Sequence, residues 1–204
     1  MTDLENLILC ISDEFENINE KWKQSKYYKK INMSKKLVNN FYEDPSLLQF
    51  ALIYRSFVLD LLENSSILFF DLKLSNKVFS RIKTINSIHY KIVNYHNNHN
   101  NHNNGKIPIN KCLNDLVGIR IILETDLTLV QVEEWVKENF PELKVIFSIK
   151  KEYRAIHIYF GKGDNYIFQW ELQIWLKKDS NRNLLSHQEY KQEYVKWEER
   201  CEYV

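Results

Sequence analysis

The sequence is short of the residues that most often announce a function. Glycine occurs only four times in 204 residues, at 105, 118, 161 and 163. Neither Gly-x-x-x-x-Gly-Lys nor Gly-x-Gly-x-x-Gly can be assembled from these positions, which excludes the two common glycine loops that cradle phosphates through backbone N–H groups. Cysteine is equally sparse. Cys10, Cys112 and Cys201 are odd in number and widely spaced, so they fit neither a disulfide framework nor a Cys-x-x-Cys zinc pattern, and a reducing cytoplasm is expected. No unbroken apolar run reaches the ~18 residues of a membrane-spanning helix, so no membrane is expected as a partner. Met1-Thr2-Asp3-Leu4-Glu5 lacks the cationic start and apolar block of a secretory signal. An excess of one charge is missing too: 28 Lys and Arg balance 27 Asp and Glu. Bulk electrostatics therefore does not mark the chain as a nucleic-acid binder.

What is present describes a globular chain, 44% hydrophobic and 27% charged, long enough to bury one full core. Leu4, Leu7, Ile8, Ile11, Phe15, Ile18 and Trp22 recur at three- and four-residue steps, predicting an amphipathic helix. A second helix starts at Asp44 as cap and Pro45 in the first turn. It continues through Leu47, Leu48, Ala51, Tyr54, Phe57, Val58, Leu61 and Leu62. Between them, residues 21–36 carry Lys21, Lys23, Lys26, Lys29, Lys30, Lys35 and Lys36 with no acid. A third helix is expected from a cap at Ser75 to about Tyr95. The low-complexity run from Asn94 to Lys106 reads as a loop. His96, His99 and His102 recur within it, without the acidic or Cys partners a metal site would add.

The second half changes period. Strands are expected at Val117–Leu123, Leu143–Ile149, Arg154–Phe160 and Asn165–Trp175, the last two joined by a turn at Gly161-Lys-Gly163. A helix is expected at Leu127–Asn139, and a closing helix at Leu184–Arg200. The class is α+β, with a mixed sheet flanked by N-terminal and C-terminal helices. We expect one domain over 1–204, its helical part at 1–74 and its catalytic core at 75–191.

Three groups of side chains could carry chemistry. Strand alternation puts Tyr153, Ala155, His157 and Tyr159 on one face, and Glu171 and Gln173 on one face of the last strand. Helical spacing puts Lys83, Ser87 and Lys91 in one stripe near Arg81, a cationic surface suited to polyphosphate. Asp115 enters a buried strand five residues before Arg120; a carboxylate there suits Mg²⁺, which takes one or two carboxylates and fills its shell with water and phosphate oxygens. Taken singly, each group also reads as an ordinary solvated face or turn.

Their order is more telling. Arg81-x-Lys83-x-x-x-Ser87-x-x-x-Lys91, Asp115-Leu-Val-Gly-Ile-Arg120, Tyr153-Arg-Ala-Ile-His157 and Glu171-Leu-Gln173-Ile together resemble the synthetase domain of the RelA/SpoT alarmone synthetases. The trailing His187-x-x-Tyr190-Lys191 resembles that family's closing helix. The resemblance implies a nucleotidyltransferase-like fold and transfer of pyrophosphate from ATP to a ribose 3′-hydroxyl, with AMP released and Mg²⁺ as cofactor. It implies that Arg81 and Arg120 hold the adenine, and that Lys83, Ser87 and Lys91 hold the triphosphate. Asp115 and Glu171 would bind the metal, with Glu171 also activating the hydroxyl. Tyr153, His157 and Gln173 would line the acceptor side, with His157 grouped among the catalytic residues.

Two departures from the family pattern fall on the acceptor side. The loop before Tyr153 keeps Lys150 and Lys151 but lacks Asn-Gly, and Trp175 stands where the family has Arg. Two acceptors compete. One is GDP or GTP (or an adenosine nucleotide), giving an alarmone. The other is the 3′ CCA end of tRNA, the target of the toxic small alarmone synthetases, which stop translation and are held in check by an antitoxin. Lys21, Lys23, Lys26, Lys29 and Lys30, interleaved with Trp22, Tyr27 and Tyr28, favour RNA. Two non-enzymatic alternatives remain, an inactive nucleotide-binding relative and an interaction module whose polar sheet face is only a surface.

Overall fold

The structure, a computed structural model, describes residues 1–64, 78–97, 103–186 and 188. Three helices come first: α1 (Thr2–Gln24), α2 (Asn40–Glu43) and α3 (Pro45–Asn64). β1 (Val78–Ile82), α4 (Ile85–Asn97), α5 (Ile109–Cys112), β2 (Val117–Leu123) and α6 (Leu129–Asn139) follow. β3 (Lys144–Lys150), β4 (Tyr153–Phe160) and β5 (Trp170–Leu176) complete the sheet, and α7 occupies 177–186. The five strands lie in the order β1-β2-β5-β4-β3. β2 and β5 are parallel, and the other neighbours are antiparallel. The expected class stands: a mixed sheet in an α+β chain with helices before and after it.

The register explains why one side of the sheet is buried by helices and the other is chemically rich. Val117, Ile119 and Ile121 of β2 lie beside Trp170, Leu172 and Ile174 of β5, and these beside Phe160, Ile158 and Ile156 of β4. All nine are buried. The α1 stripe from Leu4 to Trp22 and α3 residues Phe50, Tyr54 and Val58 join them in one core. Phe15 meets the Trp170 ring edge-on at 5.5 Å. Each such side chain contributes about 1.5–3 kcal/mol by leaving water, which is what holds the helices to the sheet. A chain of hydrogen bonds crosses this layer: Trp170 Nε1 donates to Tyr54 Oη, Tyr54 O–H to Asn19 Oδ1, and Asn19 Nδ2 to the Phe15 carbonyl. By length and composition α3 could cross a bilayer. It carries Arg55 and Asp60, however, and its apolar stripe is buried in this core.

Asp44 caps α3 as the sequence predicts, and Thr128 caps α6 without having been singled out. Asp44 Oδ1 accepts from the Ser46 N–H and hydroxyl. Thr128 and Gln131 make a reciprocal capping box at the start of α6, an arrangement that satisfies two otherwise orphaned N–H groups.

Four expectations need correction. Residues 78–82 are not the first half of a helix but the edge strand β1, paired with β2. The run Val78-Phe-Ser-Arg-Ile82 has a β-branched start and no helical stripe, and pairing with β2 overrides the period read across it. The helix begins only after Thr84, whose Oγ1 accepts from the Ser87 N–H. It then runs through Asn97, so the His/Asn-rich segment starts as helix rather than loop. His99 and His102 lie outside the described residues, while His96 sits 2.8 Å from Asn39 Oδ1 and stacks on Tyr42. The third correction is β5, which starts at Trp170 rather than Asn165. Residues 161–169 form a longer connection than a glycine turn, with Met33 N–H bonded to the Asn165 carbonyl. The closing helix starts at 177, seven residues before the expected Leu184, and residues 189–200 lie outside the described part. Asn183, fully buried, ties it down: its side chain accepts from the Arg154 N–H and donates to the Arg154 carbonyl.

Candidate active site

The second face of the sheet carries the residues that the sequence singles out. Register pairs Phe79 with Arg120 and Arg81 with Gly118, Gly118 with Glu171 and Arg120 with Gln173, and Glu171 with Tyr159 and Gln173 with His157. Side chains from four strands thus share one floor.

At its β1 end lies a charged corner. Lys83 leaves β1, with its N–H bonded to the Leu116 carbonyl and its carbonyl held by Arg55 Nε of α3. Its Nζ lies 2.6 Å from Asp115 Oδ2. Lys91, two turns into α4, brings its Nζ to 2.9 Å from Asp115 Oδ1 and also donates to Asn114 Oδ1. The three side chains expose only 11–14% of their surface. Burial opposes the Asp115 charge, yet the two ammonium groups outweigh it and hold the carboxyl well below its ordinary range. The lysines respond oppositely. Burial also opposes the Lys91 charge, but Asp115 raises Lys91 above its ordinary value. Burial lowers Lys83, and the cations Lys91 and Arg81 add to the effect against the pull of Asp115. One carboxylate cannot neutralise two buried ammonium groups, so the corner keeps one uncompensated positive charge.

The middle of the floor is a closed circuit of hydrogen bonds. Glu171, 5% exposed, receives His157 Nδ1 at 2.7 Å and Tyr159 O–H at 3.0 Å on Oε1, and Gln173 Nε2 at 2.8 Å on Oε2. Gln173 Oε1 accepts from Arg120 Nε and Nη2 at 3.2 and 3.0 Å. The Arg120 guanidinium lies 3.7 Å from the centre of the Trp175 ring. Trp175 Nε1 donates to Tyr153 Oη at 3.4 Å, and Tyr153 Oη lies 3.0 Å from His157 Nε2. Because a carboxylate only accepts, His157 donates through Nδ1; a neutral ring then receives the Tyr153 O–H on Nε2. Burial pushes the Tyr153 phenol up to about 12, which keeps that proton in place. Glu171 is held below its ordinary value: burial and the Asp115 charge work against its ionisation, but the His157 bond and charge and the Gln173 bond prevail. The two carboxylates are therefore close enough to feel each other.

The structure thus gathers Lys83, Lys91 and Asp115 in one corner and Arg120, Tyr153, His157, Glu171 and Gln173 on one floor. Arg81 is exposed on β1 and faces Gly118. Any Cβ at 118 would meet the Arg81 side chain at 3.5 Å. Arg81 and Lys83 do not share a helical stripe with Ser87 and Lys91, since they lie on and just after a strand. Ser87 is half-buried beside the α4 cap, where its Oγ accepts from Thr84 Oγ1. Lys150 and Lys151 are exposed, Lys150 beside Tyr153 in register and Lys151 in the hairpin at a φ of 53°. Lys21, Lys23, Lys26, Lys29 and Lys30 are all exposed; Lys23 pairs with Asp164 at 2.9 Å and Lys30 lies over Tyr166. Trp22 is fully buried and Tyr28 packs against it, so these two rings belong to the core rather than to a base-stacking surface. Of the aromatic group, Tyr27 alone is exposed. His187, Tyr190 and Lys191 lie outside the described residues.

Sequence reasoning assigned no part to Tyr159, Arg55 or Trp175's indole N–H. Alternation put Tyr159 on His157's face, a signal that could have found it. Arg55 gives none, since its contact comes from α3 through tertiary packing. Among the described residues, no group of three or more His, Cys, Asp or Glu could hold a metal. Asp115 and Glu171 are still a suitable pair for Mg²⁺, whose remaining ligands come from phosphate and water.

No protein-family profile and no curated protein matches the chain. Among solved structures, small alarmone synthetase 2 from Bacillus subtilis is similar at 21% identity, over 70% of this chain and 78% of that one, with a TM-score of 0.38. Small alarmone synthetase 1 from Bacillus subtilis, bound to its product pppGpp, gives 20% identity over 73% and 83%, with a TM-score of 0.41.

Proposed function

We propose that this protein transfers pyrophosphate from ATP to a ribose 3′-hydroxyl, and that the acceptor is the 3′ end of tRNA. The observation that supports this most is the uncompensated cation of the Lys83–Asp115–Lys91 corner, partly buried beside the Glu171 floor. A triphosphate brings several negative charges and would relieve that excess, drawing the ammonium groups from Asp115 to its own oxygens. Asp115 and Glu171 would hold Mg²⁺, which neutralises charge on the transferring phosphates. Arg81 and Arg120 would take the adenine, and Ser87 lies within the helix turn nearest Lys83. The attacking 3′ oxygen forms a bond to the middle phosphorus, the bond from that phosphorus to the α-phosphate oxygen breaks, and AMP departs. The hydroxyl proton passes to the Glu171–His157 pair. Three donors lower the basicity of Glu171, and the shared Nδ1 contact lets the imidazole take part of that load.

The lysines of 21–30 support tRNA. They are exposed, and the segment that follows them packs on the 161–169 connection, through Met33 to Asn165 and Lys30 over Tyr166. That connection leads into β5, the end of the sheet where Glu171 and Asp115 lie. A tRNA with its acceptor end at Glu171 would lay its stem phosphates toward these lysines. Pyrophosphate on the 3′ end blocks aminoacylation, so such an enzyme acts as a translation-arresting toxin and needs an antitoxin partner.

Incubation with Mg²⁺, γ-labelled ATP and separately GDP, GTP or tRNA tests the reading. Label is expected in RNA together with AMP release. Label in the guanine nucleotides alone would replace the acceptor, and label in neither would remove the activity.

A further inference from the structure

Trp175 touches both halves of the site, and neither its place at the family's departure nor its burial in a strand explains that. Its ring lies beneath Arg120 at 3.7 Å, while its N–H reaches Tyr153 at 3.4 Å. The indole at 3.7 Å and Gln173 Oε1 across Nε and Nη2 both hold the Arg120 guanidinium. Gln173 is itself pinned, because its amide nitrogen is spent on Glu171. Arg120 is half-buried, and burial lowers it to about 10, so it retains its charge at neutral pH with little water to solvate it. A flat cation in such a setting leans on the π-face beneath it more than a solvated one does. Ala155 and Ile122, both apolar, also pack against Trp175. Neither can orient a guanidinium.

We propose that Trp175 is a positioning residue for nucleotide binding, acting through Arg120, whose guanidinium plane it sets parallel to the ligand ring that Arg120 receives. This rests on the reading of the site as an ATP site. It predicts that Trp175 matters for ATP affinity through its aromatic ring and not through its N–H, and only while Arg120 is present.

The test is a double-mutant cycle with a non-hydrolysable ATP analogue and Mg²⁺, read by calorimetry, on the full chain. Trp175→Leu is expected to weaken binding about tenfold, the size of a partly desolvated cation–π contact. Trp175→Phe, which keeps a ring and is the better folded control, should bind close to the wild type. In the Arg120→Ala background, Trp175→Leu should add little. Equal weakening by Trp175→Leu with and without Arg120, or by Phe as much as Leu, overturns the proposal. Exchange of the Arg120 Nε–H, followed by NMR in the absence of nucleotide, reads the same contact independently. It should speed up in Trp175→Leu and hardly change in Trp175→Phe; an unchanged rate in Leu overturns the proposal. If the wild type binds no ATP analogue, the ATP reading falls, and this exchange measurement alone decides whether Trp175 orients Arg120.

Discussion

The charged corner and the hydrogen-bonded floor lie side by side on one sheet face, yet they solve the burial of polar groups in opposite ways. Around Asp115, three formal charges are packed together with one cation left over. Around Glu171, a single formal carboxylate is met by hydrogen-bond donors from His157, Tyr159 and Gln173, with Arg120 one bond further out. The first arrangement is costly without an anion and so is suited to capture one. The second keeps geometry without excess charge, which suits a group that must be aimed rather than neutralised. If the corner takes the donor and the floor activates the acceptor, as proposed above, mutation should separate the two.

The largest effects should come from removing either carboxylate. Glu171→Gln and Asp115→Asn are each expected to lower turnover by about 10²–10⁴-fold, the range for a lost proton acceptor or a misplaced phosphoryl charge. AMP release measures this; activity surviving both changes would dissolve the distinction between corner and floor. Stability should separate the corner from the floor as well. Asp115→Asn strands two buried ammonium groups and should cost about 3–5 kcal/mol in urea unfolding at neutral pH, whereas Tyr159→Phe removes one neutral donor and should cost about 0.5–1.5 kcal/mol. The pH dependence gives a further check. The folded Asp115 titrates below its ordinary 3.8, so its contribution is present above that value and is lost as pH falls through the lower folded value. The gap between wild type and Asp115→Asn should hold from pH 7 to 5 and narrow below about 3.8, the unfolded value. Equal costs for Asn and Phe, or a gap insensitive to acid, would show that the corner is not held by charge. The smallest effect concerns the exposed lysines: replacing Lys29 and Lys30 by Ala should weaken tRNA use, more at low salt than at high salt, because salt already screens phosphate contacts. No change at any salt would take that surface out of the tRNA reading.

Much of this was legible in the sequence. The α1 and α3 stripes, the helix expected at Leu127–Asn139 and the alternating faces of β4 and β5 follow from period alone, while the pairing that brings His157 and Glu171 onto a common floor does not. Period failed at 78–82. A five-residue edge strand is too short to outweigh a helical pattern beginning next to it, and its partner β2 lies 35 residues away. It failed again for Trp22 and Tyr28, because a lysine-rich neighbourhood says nothing of which way a ring points; α1 turns Trp22 inward while its lysines face water. The joint capture of Asp115 by Lys83 and Lys91 was also out of reach, since the three come from a strand end, a helix and a strand entry that only the β1–β2 pairing brings together.

Asn183 has a role beyond joining α7 to the sheet. The β4–β5 ladder ends at Ile156, so the N–H and C=O of Arg154 point to a place where no strand supplies a partner. Backbone groups left unpaired away from water cost free energy comparable to a lost hydrogen bond. By filling that gap with a side-chain amide, which donates and accepts as a peptide group does, a single asparagine continues the pairing of β4 one residue away from Tyr153.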